Sequence, residues 1–353
     1  LQTGGHPVPG AIHHQPGSFS DRWIPYCRSL GIDFRVVNCY DSGIIGQLKD
    51  CDALMWHFYH ASARDIKFAR QLLFAVEASG RSVFPDFHTM WHFDDKIGQK
   101  YLLEALGAPL VPSAVFTSSG EARRWVLTAE YPMVFKLRSG AGSDNVRLVR
   151  NQHEALRLIR RAFGRGFPQL NPVSDLKERW RKFRHGKSEF SGVLRGVARL
   201  VMPTRFARMA GHEKGYIYFQ KFIPHNDHDT RVVVIGDKAF AIRRMVRDHD
   251  FRASGSGEIL YAREYFREET IHLALQWAAR LKSQCIAFDF LTFNGKDVIL
   301  EISYGFTPEG YDPCPGYWDR DLRWIPGPFN PYGWMVEGVL EEVRKRQTSW
   351  SSS

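Results

Sequence analysis

The chain of 353 residues is long enough for two or three domains, and its 44% hydrophobic and 24% charged residues are typical of a soluble globular protein. No apolar run approaches the roughly 18 residues of a helical membrane span. The five cysteines show no C-x-x-C spacing, which excludes a disulfide framework and a structural zinc site. We therefore expect a reduced cytoplasmic protein without a signal peptide, although the chain begins at Leu1 rather than Met.

The net charge of +10 is concentrated in one segment, residues 165–214, which holds twelve Lys and Arg against four Asp and Glu. The remainder of the chain is close to neutral, at +2, which argues against a surface built for nucleic acid. Aromatic residues are interleaved with the basic ones, and two interpretations stay open. The segment is either a solvated insertion or a docking surface for anions.

The first hundred residues alternate between strand and helix patterns, with strands at residues 32–40, 52–59 and 82–85 and a helix at residues 64–79. This alternation predicts a parallel α/β domain, which we expect to end near Pro112. Ligands bind such sheets beyond the carboxyl ends of the strands. Three polar stretches are expected there, although any single histidine in them is more often structural: residues 18–22, 57–60 and 88–94.

Two lysines stand out in the next part of the chain. Lys96 lies in the first turn of a predicted helix, where cations are disfavoured, whereas Asp94 or Asp95 would be an ordinary N-cap. Lys136 lies in a predicted strand that leads into a glycine-rich stretch, residues 139–143. Backbone N–H groups of such a loop can approach phosphates while a lysine neutralises them. The P-loop pattern is absent, and an ordinary flexible turn is the alternative interpretation.

Residues 287–310 predict a β-hairpin that turns at Asn294 and Gly295. Two carboxylates, Asp289 and Glu301, interrupt its apolar strands, and the turn should bring them near one another. Because burial of uncompensated carboxylates is unfavourable, the pair suggests a bound cation such as Mg²⁺. The alternative is that both are solvated charges at strand ends.

Assembled in chain order, these features resemble the ATP-grasp superfamily, and most of all the RimK-type amino-acid ligases. The resemblance covers residues 85–310. Its most specific parts are the segment DTRVVVIGDKAFAIRR, the later FRASGSG, and the twelve-residue interval from Asp289 to Glu301 that leads to PEG.

The resemblance implies an α/β fold with α+β lobes. An N-terminal parallel α/β domain (residues 1–112) would precede an ATP-grasp domain (residues 113–310, with the basic insertion at about 165–214) that clamps ATP between two antiparallel sheets. The C-terminal segment, residues 311–353, is rich in aromatic residues. We expect it either to wrap over the cleft mouth near Glu309 or to form a packing strap across the first domain.

The resemblance also implies roles for individual residues. Lys96 and Lys136 would contact the phosphates or adenine of the nucleotide, and Arg244, with Arg243 beside it, would face the transferring phosphoryl group. The phosphate-covering flap would consist of Ser139, Gly140, Ala141, Gly142 and Ser143. The strand along adenine would consist of Gln220, Lys221, Phe222 and Ile223, and nucleotide binding would also involve Asp229 and Arg231. Mg²⁺ would be held by Asp289, Glu301 and Ser303; the family usually has asparagine at the last position, so one or two ions are expected.

The implied activity is that of an ADP-forming carboxylate–amine ligase that uses ATP and Mg²⁺. We expect a carboxylate and an amine as substrates, one of them large and anionic, and a monomer or homodimer. An acidic sugar or glycan of bacterial surface-polysaccharide synthesis, or an anionic membrane carrying it, could dock on the basic insertion. Two alternatives stay open: an ATP-grasp kinase that phosphorylates a hydroxyl of an anionic acceptor, and a non-catalytic nucleotide-sensing module.

Overall fold

The computed structural model describes residues 10–60, 62–140, 145–169, 180, 211–246, 250–253 and 258–350. Three sequence predictions lie outside these ranges: the flap residues Ala141, Gly142 and Ser143, most of the basic insertion, and residues 254–257 of the second glycine-rich loop. Within the described ranges, no helix is both long and apolar enough to cross a membrane.

The N-terminal domain contains the strands β1 (Gly10–His13), β2 (Phe34–Val37), β3 (Ala53–Met55) and β4 (Ser82–Phe84). Its helices are α1 (Ser20–Ser29), α2 (Ile44–Gln47), α3 (Ala63–Ala78) and α4 (Phe87–Met90). The strands form a parallel sheet in the order β2-β1-β3-β4. Helix α3 begins where the Ser62 side chain accepts a hydrogen bond from the backbone N–H of Asp65. The predicted parallel α/β fold is confirmed, although β1 and α1 were not recognised in the sequence.

Helix α5 (Lys96–Ala105) leads into a smaller antiparallel sheet. This sheet consists of β5 (Ser113–Phe116), β6 (Met133–Lys136), β7 (Arg147–Val149) and β10 (Ile217–Lys221), in the order β5-β10-β6-β7. Helices α6 (Ser119–Trp125) and α7 (Gln152–Ala162) cover one face, and a short pair, β8 (Phe167–Pro168) and β9 (His212–Glu213), lies beside it. Because side chains alternate along a strand, Phe135 and Phe219 enter the core with α7, whereas Lys136 and Gln220 lie on the opposite face.

The larger antiparallel sheet contains β11 (His228–Ile235), β12 (Lys238–Met245), β13 (Ile259–Leu260), β14 (Cys285–Phe293), β15 (Lys296–Ser303), β16 (Gly316–Trp318) and β17 (Trp324–Pro326). The order is β15-β14-β11-β12-β16-β17, and β13 also pairs with β12. Helix α8 (Glu268–Leu281) packs on one face through Ile271 and Ala274. The predicted hairpin of β14 and β15 is confirmed: Asn294 and Gly295 have φ of +51° and +76°, as a two-residue turn of this kind requires.

The C-terminal segment joins two parts of the molecule. Strand β16 extends the larger sheet beside β12, and helix α9 (Pro331–Trp350) packs against the N-terminal domain, where Met335 and Val339 share a core with Trp23 and Phe84. Helix α9 thus takes the position of the packing strap rather than that of a cover over the cleft.

The two antiparallel sheets meet along β15. The backbone of Ile299 in β15 exchanges hydrogen bonds with Pro109 and Val111, at N···O distances of 2.7 and 2.9 Å. From the smaller sheet, the Gln220 amide lies 3.4 Å from the carbonyl of Leu300. The polar face of the smaller sheet is thereby directed at the strand that carries Glu301.

Candidate active site

Asp289 and Glu301 face one another on adjacent strands because of a single β-bulge. From Phe293 back to Phe290, the hairpin pairs residues in regular register, ending with Phe290 opposite Ile299. The register then shifts, Leu300 has no partner, and Asp289 pairs with Glu301. Without the bulge, Asp289 would lie opposite Leu300, and the two carboxylates would point to opposite faces of the sheet. The twelve-residue spacing therefore functions only together with the bulge.

Asp289 is buried between two arginines. Its carboxylate lies 2.9 Å from Arg244 and 3.3 Å from Arg231, and Arg244 also donates two hydrogen bonds of 2.7 Å to Asp229, its direct partner across β11 and β12. Burial would raise the pKa of the Asp289 carboxyl, but Arg231 and Arg244 outweigh burial and hold it below its usual range. Oxygen Oδ1 of Asp289 is buried and accepts no hydrogen bond of good geometry, although Arg231 is within ion-pair distance.

Lys96 connects the N-terminal end of α5 to Glu301. Its Nζ lies 3.2 Å from the Glu301 carboxylate and donates a 2.8 Å hydrogen bond to the carbonyl of Gly140. Burial would lower the pKa of the lysine, but Glu301 and Asp94 raise it above its ordinary value. The unfavourable position of a cation in the first turn of a helix is thus offset by contacts beyond the helix.

Gly140, the start of the predicted flap, is held from both sides. Its N–H donates a 2.7 Å hydrogen bond to Asp94, which has φ of +54°, and its carbonyl accepts from Lys96. Burial raises the pKa of Asp94 to about 6. Next to it, the Ser139 hydroxyl donates to Glu213 at 2.7 Å and accepts from Gln169 at 2.9 Å. The part of the flap that the structure describes is therefore anchored to α5.

Lys136 differs from Lys96 because it has no such partner. It is 6% exposed and makes no hydrogen bond or ion pair with any described residue. Burial lowers its pKa to about 8, while Glu301 raises it and Lys96 lowers it further. Lys136 lies on the face of the smaller sheet opposite the core with α7, and the charges of Glu301 and Asp289 on the larger sheet act on it. A buried cation without a partner is suited to receive an anionic ligand.

Only part of the predicted adenine strand faces the cleft. Gln220 is 2% exposed, and its Oε1 is buried without a hydrogen-bond partner. Lys221 points outward and pairs with Glu130 at 3.0 Å on the surface. Phe222 contacts the ring of Phe251 edge-on, and Ile223 is buried.

Arg243 and Ser303 differ from the rest of the predicted set. Arg243 precedes Arg244 on β12 and so points to the other face, where it donates to the carbonyl of Tyr265 and lies 5.2 Å over its ring. Ser303 bonds locally: its hydroxyl donates to the carbonyl of Gly305 at 3.1 Å and accepts from its N–H at 3.2 Å. The structure therefore brings Arg244 into the cluster, but not Arg243.

Two residues that were not predicted lie beside this cluster. His60 follows β3, and its pKa is lowered by burial and by Lys96 and Arg231, against an opposing effect of Glu301. Tyr311 is buried near Arg231 and Arg244, and burial raises its pKa to about 12. His60 falls in one of the polar stretches expected at the carboxyl edge of the parallel sheet, and Tyr311 begins the aromatic segment for which a position over the cleft mouth was one expectation, so both locations had a sequence signal.

The carboxylates of this cluster are the candidate ligands for magnesium. Among the described residues, no group of three or more His, Cys, Asp or Glu side chains gathers as a metal site. The carboxylates of Asp289 and Glu301 are nevertheless paired in register, and one buried oxygen of Asp289 accepts no hydrogen bond. Carboxylate oxygens that leave room for phosphate and water fit the ligand preference of Mg²⁺.

Comparison with solved structures identifies the architecture. D-alanine–D-alanine ligase from Bacillus anthracis matches with a TM-score of 0.56 and 13% identity over 97% of this chain and 99% of the ligase. A RimK-domain ATP-grasp protein from Sphaerobacter thermophilus matches with a TM-score of 0.56 and 14% identity, over 94% of this chain and 98% of that protein. The chain has the ATP-grasp fold. The confirmed ATP-grasp architecture explains why the cluster lies between two antiparallel sheets.

A third ATP-grasp structure was solved with nucleotide present. It is the biotin carboxylase domain of the 2-oxoglutarate carboxylase of Hydrogenobacter thermophilus, in complex with MgADP, ADP and bicarbonate. It matches with a TM-score of 0.58 and 16% identity, over 94% of this chain and 69% of that domain. No protein-family model matches the sequence, and a comparison with curated proteins finds no match.

Proposed function

We propose that this chain is an ATP-dependent ligase that activates a carboxylate as an acyl phosphate and joins it to an amine, with release of ADP and phosphate. One observation carries the proposal. Lys96, Arg231 and Arg244 gather around the Asp289–Glu301 pair, and the unpartnered Lys136 faces them from the smaller sheet. D-alanine–D-alanine ligase, which has the same fold, joins a carboxylate to an amine by name.

The proposed reaction has two chemical steps. A carboxylate oxygen of the substrate attacks the γ-phosphorus of ATP, and the bond from phosphorus to the ADP oxygen breaks. The amine nitrogen then attacks the acyl carbon, loses a proton, and displaces phosphate. Phosphoryl transfer needs in-line positioning and positive charge around the transferred group more than covalent help from the protein.

The residues of the cleft can supply that charge. Lys136 and Lys96 are buried cations, and we assign them to the phosphates of ATP. Arg244, held by two hydrogen bonds to Asp229, is oriented toward Asp289, and we assign it to the transferred phosphoryl group. The unpartnered amide oxygen of Gln220 is assigned to the adenine side of the nucleotide.

Asp289 and Glu301 are assigned to Mg²⁺, which when bound would neutralise phosphate charge and orient the phosphate oxygens. In this structure both carboxylates are neutralised by the protein itself, Asp289 by its arginines and Glu301 by Lys96. When nucleotide and metal are bound, the arginines and Lys96 would pair with the phosphates. The two carboxylates would bind the metal. The site can exchange partners in this way without an uncompensated charge.

Water exclusion is the second task of the cleft, because an acyl phosphate hydrolyses readily. Lys96 and Lys136 are only 7% and 6% exposed, and Gly140 is bound to both Asp94 and Lys96. Closure of the flap over the phosphates stays a prediction from the sequence, because Ala141, Gly142 and Ser143 lie outside the described residues.

The chemical identity of the acceptor substrate is a separate prediction. The proposal of an acidic sugar or glycan depends on the basic insertion, which lies mostly outside the described residues, so it stays a prediction from the sequence. Cytoplasmic location and a role in polysaccharide synthesis likewise stay predictions from the sequence.

The test measures ADP and free phosphate from the full chain, with pools of carboxylates and amines supplied separately and together. We expect phosphate release only when both classes are present, with an amide product found by mass spectrometry. The Lys96→Met variant should lose this activity, whereas Lys100→Met, which removes a lysine one turn further along α5 that pairs with Glu104, should keep it. Phosphate attached to a hydroxyl acceptor without any amine would establish the kinase alternative instead.

A further inference from the structure

A second charged region lies on the outside of the smaller sheet, away from the nucleotide cleft. Six arginines line a cleft of about 780 Å³ between β7 and α7, with Glu154 as the one acidic residue of its lining. We call it the arginine groove, and its arginines are Arg147, Arg150, Arg157, Arg160, Arg161 and Arg165. Leu148, Val149 and Leu158 complete its lining.

The charge of the arginine groove is not compensated. None of its arginines forms an ion pair with a described carboxylate, and the Glu154 carboxylate is occupied by the backbone N–H of Arg150 at 2.8 Å. Arg147 and Arg161 lie 5.8 and 4.6 Å over the ring of Phe167, which holds them in place. Burial, followed by Arg165 and Arg147, lowers the pKa of Arg161. The groove is therefore a preformed cluster of like charges.

The strand beside the groove, β7, also has backbone N–H and C=O groups along its outer edge. Strand β7 is the last strand of the smaller sheet, and among the described residues no strand pairs with its outer edge. A second cleft, of about 560 Å³, opens on the other side of this edge and is lined by Val146, Leu148, Arg150, Asp250, Phe251 and Arg252. An unpaired edge is thus flanked by a cavity on each side.

We propose that β7 binds an extended acidic peptide, which adds to the sheet as a further strand. Side chains of an added strand alternate between faces, so acidic ones would enter the arginine groove and the others the second cleft. Guanidinium groups bind carboxylates bidentately. The edge of β7, with which no described strand pairs, favours a peptide over a nucleic acid, a glycan or a membrane, because only a polypeptide backbone can complete the hydrogen bonds of a strand. The proposal does not depend on the ligase chemistry.

The test measures fluorescence anisotropy of labelled ten-residue peptides with the full chain in the absence of nucleotide. A peptide of alternating Glu and Thr should bind, and its Gln/Thr counterpart should bind at least tenfold more weakly. The same Glu/Thr peptide with every backbone nitrogen methylated keeps its charges but has no backbone N–H group to donate to a strand. It should also bind at least tenfold more weakly.

Variants localise the binding. Arg157 and Arg160 are exposed on one face of α7, so R157Q/R160Q should fold normally and weaken binding of the Glu/Thr peptide about tenfold or more. The matched control, R123Q/R124Q, removes two exposed arginines of α6 outside the groove and should change it less than twofold. The Lys136→Met variant should bind the peptide like the wild type, which separates this proposal from the proposed function.

Four results would overturn the proposal. Equal binding of the Glu/Thr and Gln/Thr peptides would show that charge does not determine binding. Equal binding of the methylated peptide would show that the peptide does not add to the sheet as a strand. Equal weakening by R157Q/R160Q and R123Q/R124Q would place the contact outside the arginine groove. Displacement of the peptide by a ten-nucleotide single strand at lower concentration than by unlabelled peptide would identify nucleic acid as the preferred partner and also contradict the proposal.

Discussion

The two faces of the proposed nucleotide cleft differ in how their charges are satisfied. On the larger sheet, Arg244 bonds Asp229 and Asp289, and Glu301 binds Lys96, so each of these four charges has a partner. On the smaller sheet, Lys136 has no partner among the described residues and the Gln220 carbonyl oxygen is buried without one. These charges of the larger sheet are therefore balanced within the protein, whereas we propose that a bound ligand pairs with Lys136 and Gln220 of the smaller sheet.

This difference affects stability as well as function. A paired buried charge stabilises the fold through its partner, so its removal leaves the partner uncompensated. An unpaired buried charge destabilises the fold and is retained for function. Substitutions on the two faces should therefore change stability in opposite directions while both reduce activity.

The largest effect is expected for Asp289→Ala. It should abolish ATP turnover and also lower the free energy of unfolding by about 3–5 kcal/mol, because Arg231 and Arg244 lose the carboxylate between them. Glu301→Ala should abolish turnover with a smaller loss of stability, since the Glu301 side chain is 31% exposed. Urea unfolding and ADP release measure both. Near wild-type turnover by Glu301→Ala would show that the metal assignment is wrong.

The two lysines give the next effect. Lys136→Met should raise the free energy of unfolding by roughly 1–3 kcal/mol at pH 7, because a lysine whose folded pKa lies below its unfolded pKa penalises the charged folded state. Lys96→Met should instead lower it by about 1–2 kcal/mol, because Glu301 loses its partner. Thermal and urea unfolding compare the pair. If both variants are destabilised alike, the contrast between the faces does not hold.

A smaller effect is expected in the pH dependence of ATP binding. Lys136 has a pKa lowered to about 8, so in the free enzyme it is charged below pH 8 and becomes neutral as the pH rises through that value. The dissociation constant for ATP should therefore increase above about pH 8, by roughly tenfold per unit at most. Lys136→Arg, which stays charged throughout, should flatten the profile. A wild-type profile that is flat between pH 7 and 9.5 would contradict a lowered pKa for Lys136 in the free enzyme.

The smallest effect is expected at Ser303. Its hydroxyl bonds only to the backbone of Gly305, so Ser303→Asn should keep activity within about threefold of the wild type. Initial rates at saturating ATP and magnesium measure this. A loss of activity at unchanged stability would mean that Ser303 contacts a substrate directly.

Much of the site could be predicted from the sequence because the relevant signals are local. The hairpin turn at Asn294 and Gly295 is determined by residue types that tolerate positive φ, and the lysine of β6 lies in a short apolar strand. The parallel α/β domain followed from strand and helix alternation, whereas the two antiparallel sheets followed from the resemblance to the ATP-grasp superfamily. The predictions missed β1 and α1, which lie in a stretch without a clear period, and also β5, α6, β16 and β17.

The remainder depends on contacts that sequence patterns do not report. The bulge at Leu300, which places Glu301 opposite Asp289, has no residue signature of its own. Arg243 and Arg244 are equivalent in sequence, and only the register of β12 decides which one faces Asp289. Asp94 was interpreted as a capping candidate, but Asp95 caps α5 while Asp94 anchors Gly140.

The central claim is that the cleft forms an acyl phosphate, and isotope transfer tests it most directly. The carboxylate substrate found in the pooled assay is labelled with ¹⁸O in both oxygens and incubated with ATP, Mg²⁺, the amine and the full chain. The claim predicts one ¹⁸O atom in each released phosphate and the other in the amide, for the wild type and not for Lys96→Met. Amide formation with unlabelled phosphate, or label retained entirely in the carboxyl-derived product, would contradict it.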